Sequence, residues 1–202
     1  MNTKNILSPV LLLLLAFNAH SQETNTINVS GSIEYEVKPT YEASMVLSLV
    51  NVYYDVDSYS VEDLKSRYFE KIKGVGISTQ TIKEDALGYT FLGYEKEGVL
   101  LRFETTSIKE LEKFLTIQSI GVRRYETLMK YELSNDEMAE YGKKAYDDAF
   151  KKAELLAGKI GRKVGKATYV SDNNYQEYSE ALYYASNSEN RTYSISVSFE
   201  LI

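Results

Sequence analysis

The sequence predicts an α+β fold, mainly antiparallel sheet packed with three helices. Three observations carry this. Several stretches alternate apolar and polar residues with period two, the pattern of a strand with one buried face. Three serines stand three residues ahead of an acid where a helical pattern begins: Ser60 with Asp63, Ser107 with Glu110 and Ser134 with Glu137. A serine so placed caps the helix, and the acid sits near its positive end. Strands also open and close the chain, and the order β-β-α-β-β-β-α-β-α-β-β does not alternate strictly as a parallel sheet requires. Strand–helix–strand recurs around the first and second helices, which allows two similar subdomains.

The first strand covers residues 27–37, with Ile27, Val29, Ile33, Tyr35 and Val37 on one face and Asn28, Ser30, Ser32, Glu34 and Glu36 on the other. Lys38-Pro39-Thr40 reads as a turn. A second strand follows from Tyr41, with Ala43, Met45, Leu47 and Leu49 inward. So short a connection predicts that these two strands pair antiparallel. The first helix spans 61–73, turns Val61, Leu64, Tyr68 and Ile72 inward and stops at Gly74. Residues 77–83 form a strand, and 88–95 with 99–105 form a hairpin around Lys96-Glu97-Gly98. The second helix, 108–118, buries Ile108, Leu111, Phe114 and Leu115, and a strand over 122–133 follows it. The third helix, 135–160, has an inner stripe of small residues, Gly142, Ala145, Ala149 and Ala153, continued by Leu156, Ala157 and Ile160. Gly161 ends it and a strand covers 163–170. Residues 171–191 are polar, tyrosine-dotted and without period, and are expected to be a long mobile loop. The closing strand is the clearest: Tyr193, Ile195, Val197, Phe199 and Leu201 alternate with Thr192, Ser194, Ser196, Ser198 and Glu200.

Residues 1–21 read as a cleavable export signal, with Lys4 near the start, an apolar run from Val10 to Phe17, and small Ala19 and Ser21 placed for cleavage before Gln22. That run is too short to span a bilayer, which takes about 20 residues. The expected mature domain is residues 22–202, periplasmic and without a transmembrane segment.

Composition narrows the chemistry. The 202 residues are 44% hydrophobic and 26% charged, ordinary for a folded protein. There is no cysteine and no tryptophan, and the single histidine, His20, lies in the signal. The mature chain thus lacks imidazole, thiol and indole, which excludes Ser-His-Asp triads, thiol nucleophiles, disulfides and nearly every zinc or copper site. A formal charge of −6 argues against nucleic acid as a partner. Tyrosine is in surplus, 18 against 7 phenylalanines. Its apolar body and wet hydroxyl suit half-buried strand faces, and a stacking surface for sugars or other rings is the second reading.

No motif supplies what composition removes. Gly161-Arg162-Lys163-Val164-Gly165-Lys166 is one residue short of a phosphate loop and joins a helix end to a strand, the wrong order. Gly74-Val75-Gly76 lacks a third glycine and follows a helix. Asp55-Val56-Asp57 opens like a calcium loop but has Tyr59, Ser60 and Ser66 where a ligand, the turn glycine and the bidentate acid belong. Lys159, Arg162, Lys163 and Lys166 cluster at a helix C-terminus, where cations are favourable with the helix dipole; an acidic partner face is the alternative. No catalytic, cofactor-binding or metal-binding residue is nominated, and no cofactor.

The segment Ala145–Lys166, with its spaced alanines, Lys152-Ala153-Glu154-Leu155-Leu156-Ala157 and Val164-Gly165-Lys166, resembles the signature helix of the SIMPL-domain family. Ile27–Gly31, Val37-Lys38-Pro39 and the Tyr193–Leu201 strand are similar to the start and the last strand of that domain. The resemblance implies an exported, periplasmic α+β protein, in a family long catalogued only as a domain of unknown function. Its members include periplasmic immunogenic antigens and proteins linked to oxidative-stress defence, and some form ring- or channel-like oligomers. The expectation is a non-enzymatic envelope protein, acting as a homo-oligomer or through an envelope protein partner, in stress tolerance. The alternative is a small-molecule or glycan binding module using Tyr175, Tyr178, Tyr183 and Tyr184. Three capped helices argue against an outer-membrane β-barrel.

Overall fold

The computed structural model describes residues 25–54, 59–182 and 189–202. The expected signal, the Asp55-Asp57 turn, Tyr183 and Tyr184 lie outside these residues. Among the described residues the chain runs β1 (Thr26–Glu36), β2 (Thr40–Ser48), α1 (Val61–Gly74), β3 (Ile82–Asp85), α2 (Ala86–Phe91), β4 (Gly98–Thr105), α3 (Ile108–Leu115), β5 (Val122–Glu132), α4 (Asn135–Lys159), β6 (Val164–Asp172), β7 (Glu177–Ala181) and β8 (Asn190–Leu201). The fold is α+β with two antiparallel sheets, ordered β1-β8-β6 and β3-β4-β2-β5-β7. No helix among them is long and apolar enough to cross a membrane.

The expected pairing of β1 with β2 does not form; the chain changes sheets at Lys38-Pro39. Burial explains why. Every residue of β2 from Tyr41 to Ser48 is buried, so β2 needs a neighbour on each side and finds β4 and β5. β1 has one wet face and finds β8, which alternates in the same phase: Ile27 lies opposite Phe199, Val29 opposite Val197 and Ile33 opposite Tyr193. The strand–helix–strand units β2-α1-β3 and β4-α3-β5 share one sheet. β2 and β3 flank β4, while β4 and β5 flank β2, all antiparallel, which is the split β-α-β arrangement. α1 and α3 cover its inner face with Leu64, Tyr68, Ile72, Leu111 and Phe114.

The serine caps of α1 and α4 are full capping boxes. Ser107 caps α3 through the Glu110 N–H alone, because the Glu110 carboxylate turns to Thr105 Oγ1 at 2.6 Å. α3 stops at Leu115, three residues short of the predicted end. Other expectations fail for nameable reasons. The predicted hairpin strand over 88–95 is instead α2, capped by Asp85, whose Oδ1 accepts the Gly88 N–H at 2.6 Å. The predicted 77–83 strand begins only at Ile82, because Thr79–Thr81 form a 3-10 turn capped by Ser78, and runs on to Asp85 as β3; α2 then lays Tyr89 over Val46 and Leu100 on the sheet's outer face. The expected 171–191 loop holds the end of β6 and all of β7, a five-residue strand on β5 too short to show a period.

α4 lies on the three-stranded sheet through buried Ala145, Ala149, Ala153 and Ala157. A Cβ on Gly31 of β1 would stand 1.9 Å from the Ala145 carbonyl oxygen and 2.8 Å from Ala149 Cβ, so the approach requires glycine at this position. Leu156 and Ile160, predicted inward, are exposed at the last turn of the helix.

Candidate functional site

Tyrosine gathers where the two sheets meet. Tyr35 (β1) and Tyr193 (β8) reach the joint from one sheet, Tyr131 (β5) and Tyr178 (β7) from the other, and Tyr141 from α4. Ring centroids lie 4.8 Å apart for Tyr35–Tyr141, 5.9 Å for Tyr141–Tyr193 and 6.5 Å for Tyr35–Tyr193. Tyr131 and Tyr178 stack at 4.6 Å, and Tyr175 meets Tyr178 edge-on at 6.3 Å. The Tyr35 and Tyr131 hydroxyls face each other across the joint closely enough for each to perturb the other. Arg191 lies 5.6 Å above the Tyr131 ring and pairs with Glu180 at 3.2 Å, tying β8 to β7. Tyr193 donates its hydroxyl hydrogen to Asp172 Oδ2, and Asp172 Oδ1 takes the Asn174 N–H at 2.9 Å.

Burial pushes the Tyr35 phenol well up, with Tyr131 adding to it. Burial, then the Asp172 carboxylate, does the same to Tyr193. Burial also pushes Asp172 up, but the hydrogen bonds from Tyr193 and Asn174 outweigh it, and its carboxyl ends below its ordinary value. Tyr35 and Tyr193 are therefore neutral phenols, and Asp172 beside Tyr193 is ionised, at neutral pH.

Against the stacked pair opens a cleft of about 540 Å³, lined by Thr40, Lys130, Tyr131, Glu132, Glu177, Tyr178 and Ser179. Aromatic faces framed by hydroxyl, ammonium and carboxylate groups suit a ring that also carries polar substituents. Of the tyrosines nominated from sequence, Tyr178 lines this cleft and Tyr175 stands beside it, 73% exposed. A second depression of about 550 Å³ is lined by Arg67, Glu70, Lys71, Ser119 and Ile120.

Sequence reasoning missed the partners of these rings: it places Tyr35 and Tyr193 on the apolar faces of their strands and does not single out Tyr131 or Tyr141. It also missed a charge network on the outer face of the five-stranded sheet. Glu42, on central β2, is 3% exposed. It accepts hydrogen bonds from Arg102 Nη1 at 2.7 Å, from Lys130 Nζ, and from Ser44 Oγ at 3.3 Å. Arg102 also holds Asp85 at 3.0 Å. Burial raises the Glu42 carboxyl, and the Lys130 and Arg102 hydrogen bonds more than reverse this. An acid in the wet phase of an otherwise apolar strand was the available signal. Among the described residues no group of three or more His, Asp or Glu side chains has metal-holding geometry. The basic cluster sits at the α4 terminus and the start of β6, where the Lys163 N–H and the Ile202 carbonyl bond at 2.7 Å.

The model of one family, SIMPL, described as a protein of unknown function (DUF541), matches residues 27–200. No curated protein matches. Among solved structures, the regulatory subunit of aspartate kinase from Thermus flavus aligns over 86% of this chain and 90% of that one, at 10% identity and a TM-score of 0.24.

Proposed function

The chain belongs to the SIMPL family, and from that premise we propose that it is an exported, periplasmic envelope protein of non-enzymatic type. It acts through homo-oligomeric assembly or by binding an envelope protein partner, in stress tolerance. One observation supports the assembly reading above others. Leu155, Leu156 and Ile160, in and just beyond the last turns of α4, are 71%, 52% and 64% exposed. Leu156 and Ile160 lie one turn apart, in line with the buried alanine stripe, yet nothing within the described chain covers them. Apolar side chains grouped this way mark a protein contact.

Light scattering on residues 22–202 tests this. The expected result is a discrete oligomer that Leu156→Asp with Ile160→Asp converts to a smaller species. A strict monomer at high concentration that brings down no envelope partner overturns it. Export is tested by N-terminal sequencing of the periplasmic fraction, with Gln22 expected first; an intact Met1 in the cytoplasm refutes it.

The cleft beside Tyr131 and Tyr178 favours a second reading, a small-molecule or glycan binding module. Titration with neutral and charged oligosaccharides, followed by tyrosine fluorescence, is expected to saturate in the native chain and not in Tyr178→Ala. No saturable signal with any of them ends this reading.

A further inference from the structure

With no tryptophan, no cysteine and only four methionines, this chain has its readily oxidised side chains concentrated in 18 tyrosines. A one-electron hole that enters it settles on phenol. The arrangement of the rings then fixes where it travels. Tyr175 is exposed, and its ring meets Tyr178 at 6.3 Å. Tyr178 stacks on Tyr131 at 4.6 Å. The Tyr131 and Tyr35 hydroxyls face each other closely enough for each to perturb the other, and Tyr35 meets fully buried Tyr193 at 6.5 Å. The other described exposed tyrosines are not connected to this set. Among the described residues, Tyr53, Tyr54, Tyr125 and Tyr169 have no aromatic neighbour, and Tyr94 stacks on Tyr89 alone.

We propose that the tyrosine joint conducts oxidising equivalents from the surface to a fixed interior site, entering at Tyr175 and coming to rest on Tyr193. The incoming oxidant is a one-electron acceptor of the peroxyl-radical class. It takes one electron from the Tyr175 phenol and, with a proton from solvent, becomes the hydroperoxide. Each tyrosine along the line releases its phenolic proton when it is oxidised and takes one up again from solvent when the next tyrosine reduces it, so the intermediate phenols return unchanged. At Tyr193 the electron leaves inward along the chain of rings, and the phenolic proton passes to the Asp172 carboxylate, already hydrogen-bonded to it. In net terms, peroxyl radical, solvent proton, Tyr193 phenol and Asp172 carboxylate become hydroperoxide, Tyr193 phenoxyl radical and Asp172 carboxylic acid. The hole stops there for two reasons. A positioned base receives the proton without reorganisation, and burial keeps the radical from coupling with one on another molecule.

The test uses the full chain with a photogenerated ruthenium(III) polypyridyl complex as the oxidant. Freeze-quenched electron paramagnetic resonance is expected to show a hydrogen-bonded tyrosyl radical, shifted in Asp172→Asn and lost in Tyr193→Phe. Tyr178→Phe interrupts the line while leaving both ends in place. It is expected to lower the buried radical several-fold and to raise dityrosine between molecules, because holes are then stranded at Tyr175. Tyr175→Phe, at an exposed ring that folding does not need, is expected to lower both signals. Unchanged buried radical in Tyr175→Phe and Tyr178→Phe overturns the proposal. So does a native chain whose only product is intermolecular dityrosine.

Discussion

Tyr68 is fully buried in α1 beside Phe114, and its hydroxyl has no hydrogen-bond partner among the described residues. A buried unsatisfied hydroxyl costs about 1–3 kcal/mol of desolvation. Tyr68→Phe is therefore expected to raise stability by about 1 kcal/mol, read as a higher urea midpoint at unchanged slope. A fall would mean that the hydroxyl has a partner. Glu42 is the opposite case, a buried carboxylate whose partners are both in place. Arg102 and Lys130 are 34% and 41% exposed at their side chains, which discounts the pair. Glu42→Gln is expected to cost about 2 kcal/mol at pH 7. The carboxyl is depressed in the folded chain, so its contribution is complete above the unfolded value near pH 4 and is lost as pH falls through the folded one. The gap between the native chain and Glu42→Gln should then close toward low pH in denaturant titrations. A gap constant with pH would place the loss in packing. Neither property was legible in the sequence, where Tyr68 is one more apolar helix position and Glu42 one more acid.

Whether an element could be read depended on how many faces it buries. β1, β8, α1 and α4 each have one wet side, so their periods survive and their predicted bounds hold to within two residues. β2 is buried on both faces, which left its partners open and let chain proximity suggest the wrong one. β3, α2 and β7 have four, six and five residues, too few for a period to declare itself. The alanine stripe of α4 was legible, but Gly31 opposite it was not, because that contact joins residues more than a hundred positions apart. Gly31→Ala drives a methyl group into the Ala145 carbonyl oxygen and is expected to cost about 3 kcal/mol. Thermal unfolding reads it as a markedly lower midpoint, and an unchanged midpoint would show that α4 can lift from the sheet. At α4's start, Ser134→Ala removes the acceptor for the Glu137 N–H and is expected to cost about 1 kcal/mol in the same assay.

At the scale of the whole molecule the sheets are joined by rings and one arginine, which accounts for much of the tyrosine surplus. A tyrosine there can face the core with its ring and a second tyrosine or a carboxylate with its hydroxyl, where phenylalanine would leave the other group unpaired. The resemblance was legible end to end because its motifs record packing, above all the small residues of α4. The joint was not, since it forms only when five separate segments meet. The pairing of β1 with β8 has a consequence for how the chain acquires its fold. Thr26 lies opposite Glu200, so the earliest described strand waits for the latest before either can close its ladder. Contacts of such sequence separation are slow to form. The nascent chain can complete β2 to β5 with α1 and α3 well before then, while the β1–β8–β6 sheet must await synthesis of β8. A circular permutant that links residue 202 to residue 25 and opens at Lys96 would turn that last event into a local hairpin. It is expected to refold faster in stopped-flow experiments, and an unchanged rate would place the slow step elsewhere. The fold is in this sense committed late, its first and last described strands acting as the clasp that shuts it.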